Sequence, residues 1–296
     1  VIGTFVNSTP RPPPDLADDA HKGDAGRLLV LAGSAGDGTP AMPGAAVLTT
    51  RAALRSGAGL VTSMCLDPRL WSVLANSVPE ALLVEVEGGQ GAVARVVFEL
   101  ERRADDRVRA IGPGLGPGPH VRSLVESFLV ASPAALVVDA DGLNAFAGRP
   151  EDLRRRQGAL VITPHPGEAA RLLAAPVASD EVSRLSVARE LAERTGGVCV
   201  LKGHRTVVDD GRRTWICETG NPGLARGGSG DVLTGIVAGH LTAMNASFDA
   251  FDAACSAVWV HGRAADLATV DTSRRSLLAS DVCAALGRAH RDLGCR

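Results

Sequence analysis

Short apolar, β-branched runs alternate with alanine-rich helical stretches along the first two thirds of this chain, and that alternation leaves few folds open. The runs are Leu28–Ala32, Leu60–Met64, Leu82–Val86, Val108–Ile111, Ala135–Asp139, Ala159–Thr163 and Val198–Lys202. Several lack strict apolar–polar alternation, as strands buried on both faces do. Helical stretches fall between most of them, near 43–57, 91–103, 118–131, 166–174 and 181–195. Such a pattern predicts an α/β fold whose mostly parallel central sheet carries helices on both faces. The last third changes character. Thr206–Asp209 and Arg213–Cys217 flank Asp210-Gly211, a turn pair, and read as a late antiparallel β-hairpin. Three helices follow near 228–244, 248–269 and 279–290; in the first, Val232, Leu233, Ile236, Val237, Leu241 and Met244 recur at helical spacing.

Residues 1–20 hold Pro10, Pro12, Pro13 and Pro14 and read as an extended arm. No linker rich in Pro, Gly or Ser interrupts the remainder of the chain, so residues 21–296 read as a single domain. Charge narrows the function. The 31 basic and 33 acidic residues nearly balance at −2, which gives no footprint for nucleic acid or an anionic membrane. Aromatic residues make up 3% and Tyr is absent, so there is no stacking platform for single strands. Lysine is scarce beside arginine, which reads as base-composition bias. The six cysteines form no CxxC pair and have no histidines at zinc-ligand spacing. They fit reduced thiols. With no apolar stretch of membrane-spanning length and no signal-like segment, the chain reads as soluble and cytoplasmic. It begins at Val1 rather than Met, which reads as a missing true start.

In open α/β sheets ligands sit beyond the carboxyl ends of the strands, and most of the glycine-rich segments follow a strand. The richest runs from Asn221 to Leu233, with Gly227, Gly228, Ser229 and Gly230 leading to Asp231 at the head of an amphipathic helix. Glycines admit close backbone approach, and the free N–H groups of a helix's first turn suit phosphate. Asp231 could there accept a proton from a substrate hydroxyl. The plainer alternative makes it a first-turn acid or helix cap. Lys202-Gly203-His204-Arg205-Thr206 ends a strand and could hold the phosphate or ribose of a nucleotide; otherwise it is a strand end with a solvated lysine. In Thr163-Pro164-His165-Pro166-Gly167-Glu168 two prolines clamp His165, either to aim it at a ligand or as part of a capped helix start.

Asp139, Asp141 and Asn144, in Val138–Asn144, together with Glu168, suit magnesium-phosphate or hydroxyl contacts; the alternative for Asp141 is capping the short helix after it. Gly112-Pro113-Gly114-Leu115-Gly116 makes a tight turn, but its spacing is not the dinucleotide fingerprint. Met42-Pro43-Gly44-Ala45-Ala46 opens a helix with residues small enough to admit a flat ligand or close packing. His240 and His261 fall inside helices and read as core or surface residues. No nucleophile elbow, HExxH or Walker loop is present.

Taken in order, these segments resemble the ADP/ATP-dependent NAD(P)H-hydrate dehydratase family of the ribokinase-like superfamily. The matching stretches are KGDAGRLLVLAGS, MPGAA with RAALRSGAGLVT, GPGLG, DADGLN, TPHPGE, KGHRT, NPGLARGGSGDVLTG and WVHGRAAD, spanning Lys22 to Asp266. The resemblance implies a ribokinase-like fold and repair of hydrated NAD(P)H, in which ADP or ATP, with Mg²⁺, phosphorylates the ring hydroxyl and phosphate then leaves. It implies Asp231 as base and Gly227, Gly228, Ser229 and Gly230 as the anion hole. Lys202 to Thr206 with Gly230 would hold the nucleotide. Ala45, Gly114, His165 and Asp231 would contact the hydrate. No direct protein ligand to the metal is implied, and a homotetramer is. Arg226 stands where the family commonly has Thr, which adds a cation beside the anion site. Ser229 also replaces a common Thr, and Asp37–Pro40 looks like an insertion that reshapes substrate access. The residues ahead of Lys22 are too few for the epimerase domain often fused there. Two other readings stand beside this one: a kinase of the same superfamily acting on a hydroxymethyl-pyrimidine, thiazole or sugar, and a non-catalytic nucleotide-binding protein.

Overall fold

The computed structural model describes residues 4–36, 40–86, 91–131 and 133–295. Most of the Asp37–Pro40 stretch lies outside the described residues. Ten strands form one sheet among them: β1 (Thr4–Phe5), β2 (Arg27–Leu31), β3 (Leu60–Cys65), β4 (Leu82–Glu85), β5 (Val108–Ile111), β6 (Ala135–Val138), β7 (Leu160–Ile162), β8 (Val198–Leu201), β9 (Val207–Asp209) and β10 (Arg213–Ile216). Their order is β1-β10-β9-β8-β7-β6-β5-β2-β3-β4. Strands β2 to β8 pair in parallel, and β8, β9 and β10 pair antiparallel, so the late hairpin extends the sheet. The arm is not free of the body. Thr4 and Phe5 pair in parallel with Arg213 and Thr214, and the Trp215 indole donates to the Ser8 carbonyl at 3.1 Å.

Ten α-helices surround this sheet among the described residues: α1 (Pro43–Arg55), α2 (Arg69–Ser77), α3 (Ala92–Arg102), α4 (Pro119–Val130), α5 (Asp141–Asn144), α6 (Pro166–Leu173), α7 (Glu181–Thr195), α8 (Ser229–Leu241), α9 (Ala250–Ala268) and α10 (Ala279–Leu293). The strands serve two cores. Leu28 and Val30 of β2 join α1, α8, α9 and α10 on one face, while Leu29 and Leu31 join α3, α4, α6 and α7 on the other. A strand apolar on both faces is what this requires, which is why the runs do not alternate. Helix α8 is buried along most of its length. It can lie so close to α1 because Gly235 and Gly239 face it. A Cβ at Gly235 would strike the Thr49 carbonyl oxygen, and one at Gly239 would lie 2.7 Å from Ser56 Cβ.

Candidate active site

Sheet order reverses between β2 and β5, and in open α/β sheets such a switch point marks the ligand side at the carboxyl ends of the strands. Gly33 N–H donates to the Pro113 carbonyl at 2.8 Å, and Gly112 N–H to Leu31 at 3.2 Å. Gly112 has φ +130, and any Cβ on it would land on the Asp139 carbonyl oxygen. Glycine is therefore obligatory there. Gly114 lies against α1, where an added Cβ would come within 2.7 Å of Ala45 Cβ and 3.0 Å of Met42 Cβ. Ala45 and Gly114 thus form one surface at the switch point.

The loops after β6, β7 and β8 share the same rim. Ala140 holds φ +50, a strained value for a residue with a Cβ. It separates two acids that face different ways. Asp139, 1% exposed, accepts from Lys202 Nζ at 2.7 Å and from the Thr234 hydroxyl at 2.8 Å. Asp141 Oδ2 accepts from the Gly116 N–H at 2.8 Å, and its other oxygen from the Asn144 amide at 3.4 Å. Asp141 is the first residue of α5 and makes no side-chain cap, so the capping alternative does not hold. Asn144 in turn accepts from Arg171 at 3.2 Å. Glu168 closes a capping box on the His165 N–H at 2.7 Å and lies 3.6 Å from Lys202 Nζ. Burial opposes charge on Lys202, but the carboxylates of Asp139 and Glu168 outweigh it and hold its pKa above that of an ordinary lysine.

His165 plays two parts. Its Nδ1 accepts from the N–H groups of Gly167 and Glu168 at 2.9 and 3.3 Å, which caps α6. The rest of the half-exposed ring lines a cavity.

At the head of α8, Gly228 occupies the N-cap with φ +90 and offers no side chain to cap the helix. Among the described residues, nothing takes the N–H groups of Gly227, Gly228, Gly230 or Asp231. These unpaired amides at a helix end suit an anion. A Cβ on Gly227 would meet open space, and one on Gly230 would lie 3.4 Å from Lys202 Nζ. Lys202 therefore closes the anion site from the sheet side. Asp231 is half-buried at the junction, its carbonyl held by the Thr49 hydroxyl at 3.1 Å. Burial first, then the Asp139 carboxylate, pushes its pKa up to about 6; Lys202 partly offsets them. A carboxyl tuned toward neutrality suits proton transfer.

Beside this helix end lies a cavity of about 630 Å³, lined by His165, Lys202–Thr206, residues 219–222, Arg226, Ser229, Gly230 and His261, with apolar Cys217, Leu224, Leu233 and Val258. All five residues of the Lys202–Thr206 segment reach it. Ala45, Gly114 and Asp141 lie instead toward the switch point, with Asp231 between the two groups. No cluster of three or more His, Cys, Asp or Glu side chains among the described residues is placed to hold a metal ion.

Several supporting residues carried no clear sequence signal. Arg184 of α7 donates to the carbonyls of His204 and Arg205 and so fastens the Lys202–Thr206 loop. Asp266 of α9 accepts from Gly220 N–H and from the Asn221 amide, both at 2.9 Å, and Gly262 leaves room for Thr219. The WVHGRAAD stretch thus braces the start of the glycine-rich segment. His261, expected to be a plain core or surface residue, stands in the cavity wall. Arg226 also reaches that wall while donating to the Arg275 carbonyl.

Comparison with known proteins agrees with this geometry. The family model described as NAD(P)H-hydrate dehydratase matches residues 28–288. The bifunctional NAD(P)H-hydrate repair enzyme Nnr of Moorella thermoacetica is 41% identical over 88% of this chain and 48% of its own length. The chain spans about half the length of the bifunctional curated relatives it matches. The ADP-dependent (S)-NAD(P)H-hydrate dehydratase of Neisseria meningitidis is 36% identical over 85% of this chain and 80% of its own. Among solved structures, the ADP/ATP-dependent NAD(P)H-hydrate dehydratase of Bacillus subtilis, co-crystallized with ATP and Mg²⁺, superimposes with a TM-score of 0.79 at 31% identity, covering 97% of this chain and all of that one. A ribokinase-like superfamily protein from Enterococcus faecalis gives 0.78 at 25% identity. With the sheet order, the glycine-lined helix end and these matches in agreement, the chain belongs to the NAD(P)H-hydrate dehydratase family.

Proposed function

We propose that this chain dehydrates NAD(P)H hydrate back to NAD(P)H at the expense of ADP or ATP. The observation that carries this reading is Asp231: a half-buried carboxyl, raised to about 6, at a helix end with unpaired amides, next to Ser229 and Gly230 of the cavity wall. The cavity would take the nucleotide, with Lys202 and the amides of Gly227, Gly228, Gly230 and Asp231 around the transferred phosphoryl group. The hydrated nicotinamide ring would lie against Ala45 and Gly114, its hydroxyl toward Asp231. His165, at the mouth of the cavity, would meet the hydrate where the two ligands join.

Asp231 takes the hydroxyl proton as that oxygen attacks the terminal phosphorus, and the shortened nucleotide leaves with the cleaved P–O bonding pair. Hydroxide, a poor leaving group, has become phosphate, a good one. The ring nitrogen's lone pair then expels phosphate, and loss of a proton from the adjacent ring carbon restores the double bond. The protein's share is positioning and charge stabilisation. Asp139 and Asp141 are already engaged by Lys202, Thr234 and Gly116, so Mg²⁺ would arrive on the nucleotide's own phosphates rather than on a protein ligand set. Bound there, it would neutralise phosphate charge. The working form we take to be a cytoplasmic homo-oligomer, a tetramer by family resemblance.

The deciding experiment incubates purified protein with prepared NADH hydrate, Mg²⁺ and either ADP or ATP. Absorbance at about 340 nm should recover in step with nucleotide consumed. No recovery with either nucleotide discards the dehydratase reading. Phosphorylation of a small alcohol without recovery would favour the kinase.

A further inference from the structure

The Lys202–Thr206 loop is held from behind by α7, a helix that lines no part of the cavity. Arg184 and Glu181, one turn apart on α7, reach the loop together. The Arg184 guanidinium donates to the His204 carbonyl and, at 3.2 Å, to that of Arg205, with a longer bond of 3.5 Å to Leu201. Glu181 pairs with the Arg205 side chain. Gly203, at φ +149, makes room for this approach, since a Cβ there would lie 3.0 Å from Arg184 Nη2. Arg205 has a Cβ and still holds φ +54, a value that persists only where the surroundings impose it.

In a trans peptide the carbonyl of one residue and the N–H of the next point in opposite directions, and no peptide bond among the described residues is cis. Turning the His204 and Arg205 carbonyls onto Arg184 therefore turns the N–H groups of Arg205 and Thr206 away from α7. The Leu201–Lys202 peptide behaves in the same way: its carbonyl faces Arg184, and its N–H donates to Pro164 at 2.9 Å. The Arg205 and Thr206 N–H groups have no such partner among the described residues, and both residues line the cavity. Successive free amides of this kind suit an anion. Resting on the proposed nucleotide site, we infer that Arg184 is a positioning residue for the nucleotide: by gathering the loop carbonyls on the α7 side, it keeps the Arg205 and Thr206 amides turned to the nucleotide's phosphates. It touches neither ligand. The hold needs the planar fork of arginine, because a single ammonium cannot span three carbonyls in the same way.

The test titrates ADP with Mg²⁺ by calorimetry into the full chain and its variants Arg184→Met, Arg184→Lys and Arg189→Met, and measures hydrate turnover in each across nucleotide concentrations. Arg189 is the comparison: it lies on the same helix but bonds Asp209 and the Thr214 hydroxyl, at 2.7 and 3.0 Å. Arg189→Met should melt earlier and bind ADP as the natural protein does. Arg184→Met should bind ADP roughly tenfold more weakly, because the loop is no longer held ready for its ligand. Its KM for nucleotide should rise by a similar factor, while kcat at saturating nucleotide stays within about twofold. Arg184→Lys keeps the charge without the fork and should bind roughly threefold more weakly; it carries the test alone if the Met variant does not fold. Natural affinity in Arg184→Lys would reduce the role to bare charge and overturn the inference. Unchanged affinity in Arg184→Met, a fall in kcat without a change in affinity, or equal weakening in Arg189→Met overturns it too. If the natural protein binds no nucleotide at all, the nucleotide site itself is refuted. Binding that ignores Arg184 refutes only the role given to this residue.

Discussion

The two walls of this site flank the same helix end and are built in opposite ways. Toward β8, the Lys202–Thr206 loop, the segment from 219 to 230 and α9 enclose about 630 Å³ behind cations and small loops. Toward the switch point, Gly114 and Ala45 are in such close apposition that one more carbon would collide. The first wall is space shaped by charge; the second is backbone brought close by missing side chains. They should fail differently. A substitution in the first disturbs electrostatics, and one in the second disturbs shape. Asp231 stands where they meet and answers to both.

The largest effect should come from Asp231→Asn. It should lower turnover by about a thousandfold and leave nucleotide affinity within about twofold, since its backbone N–H remains. Stability should move the other way. The folded carboxyl holds a proton up to about pH 6, whereas the unfolded one has already lost it at ordinary carboxylate pH. Stability therefore falls as pH rises through that window. Asparagine carries no such penalty, so the melting temperature at pH 7.5 should rise by roughly 2–4 °C, and the gain should vanish as pH approaches 4. Turnover in the natural protein should climb with pH through about 6 as the base ionises. Retained activity in the variant would remove Asp231 from the chemistry.

Next is Lys202→Met, which probes the charged wall alone. It strands the buried Asp139 with only the Thr234 hydroxyl, at a cost of about 3 kcal/mol in denaturant titrations. Nucleotide affinity should fall at least roughly tenfold. An unchanged unfolding midpoint would mean that the pair does not matter to the fold.

The smallest effects sharpen the contrast between the walls. Gly114→Ala adds a Cβ at φ +65 against Ala45 and should cost about 1–3 kcal/mol. Gly227→Ala meets open space and should leave stability within about 0.5 kcal/mol while slowing phosphoryl transfer. Equal destabilisation by both would dissolve the distinction.

Much of this was legible in the sequence, for reasons that can be named. The strands were readable because burial on both faces forces continuous apolar runs. Helix α8 was readable because three glycines and an acid precede a long apolar stretch, which the fold buries on nearly every side rather than along one face. Helix α2 was not, although its buried Leu70 and Leu74 stand one turn apart on a single face. Strand β1 was not, because the open edge of β10 creates it. Asp139 and Asp141 were readable as site acids, but no spacing could reveal that Ala140 turns them to different partners. Lys22 and Lys202 are the only lysines among 31 basic residues. A compact ammonium fits between Asp139, Glu168 and Gly230 where a planar guanidinium fork would need more room. Arg184 gave no signal, being one arginine among many on a charged helix.

The seating of α8 on α1 has one more consequence. With glycines pressed to a neighbouring backbone and a threonine hydroxyl latched to the Asp231 carbonyl, the helix has no slack along its axis. Its tip cannot travel to meet a guest. Any adjustment to a different nucleotide must be made by the loops around it, so changes in nucleotide range should map to 201–206 and 219–227 and leave the helix alone.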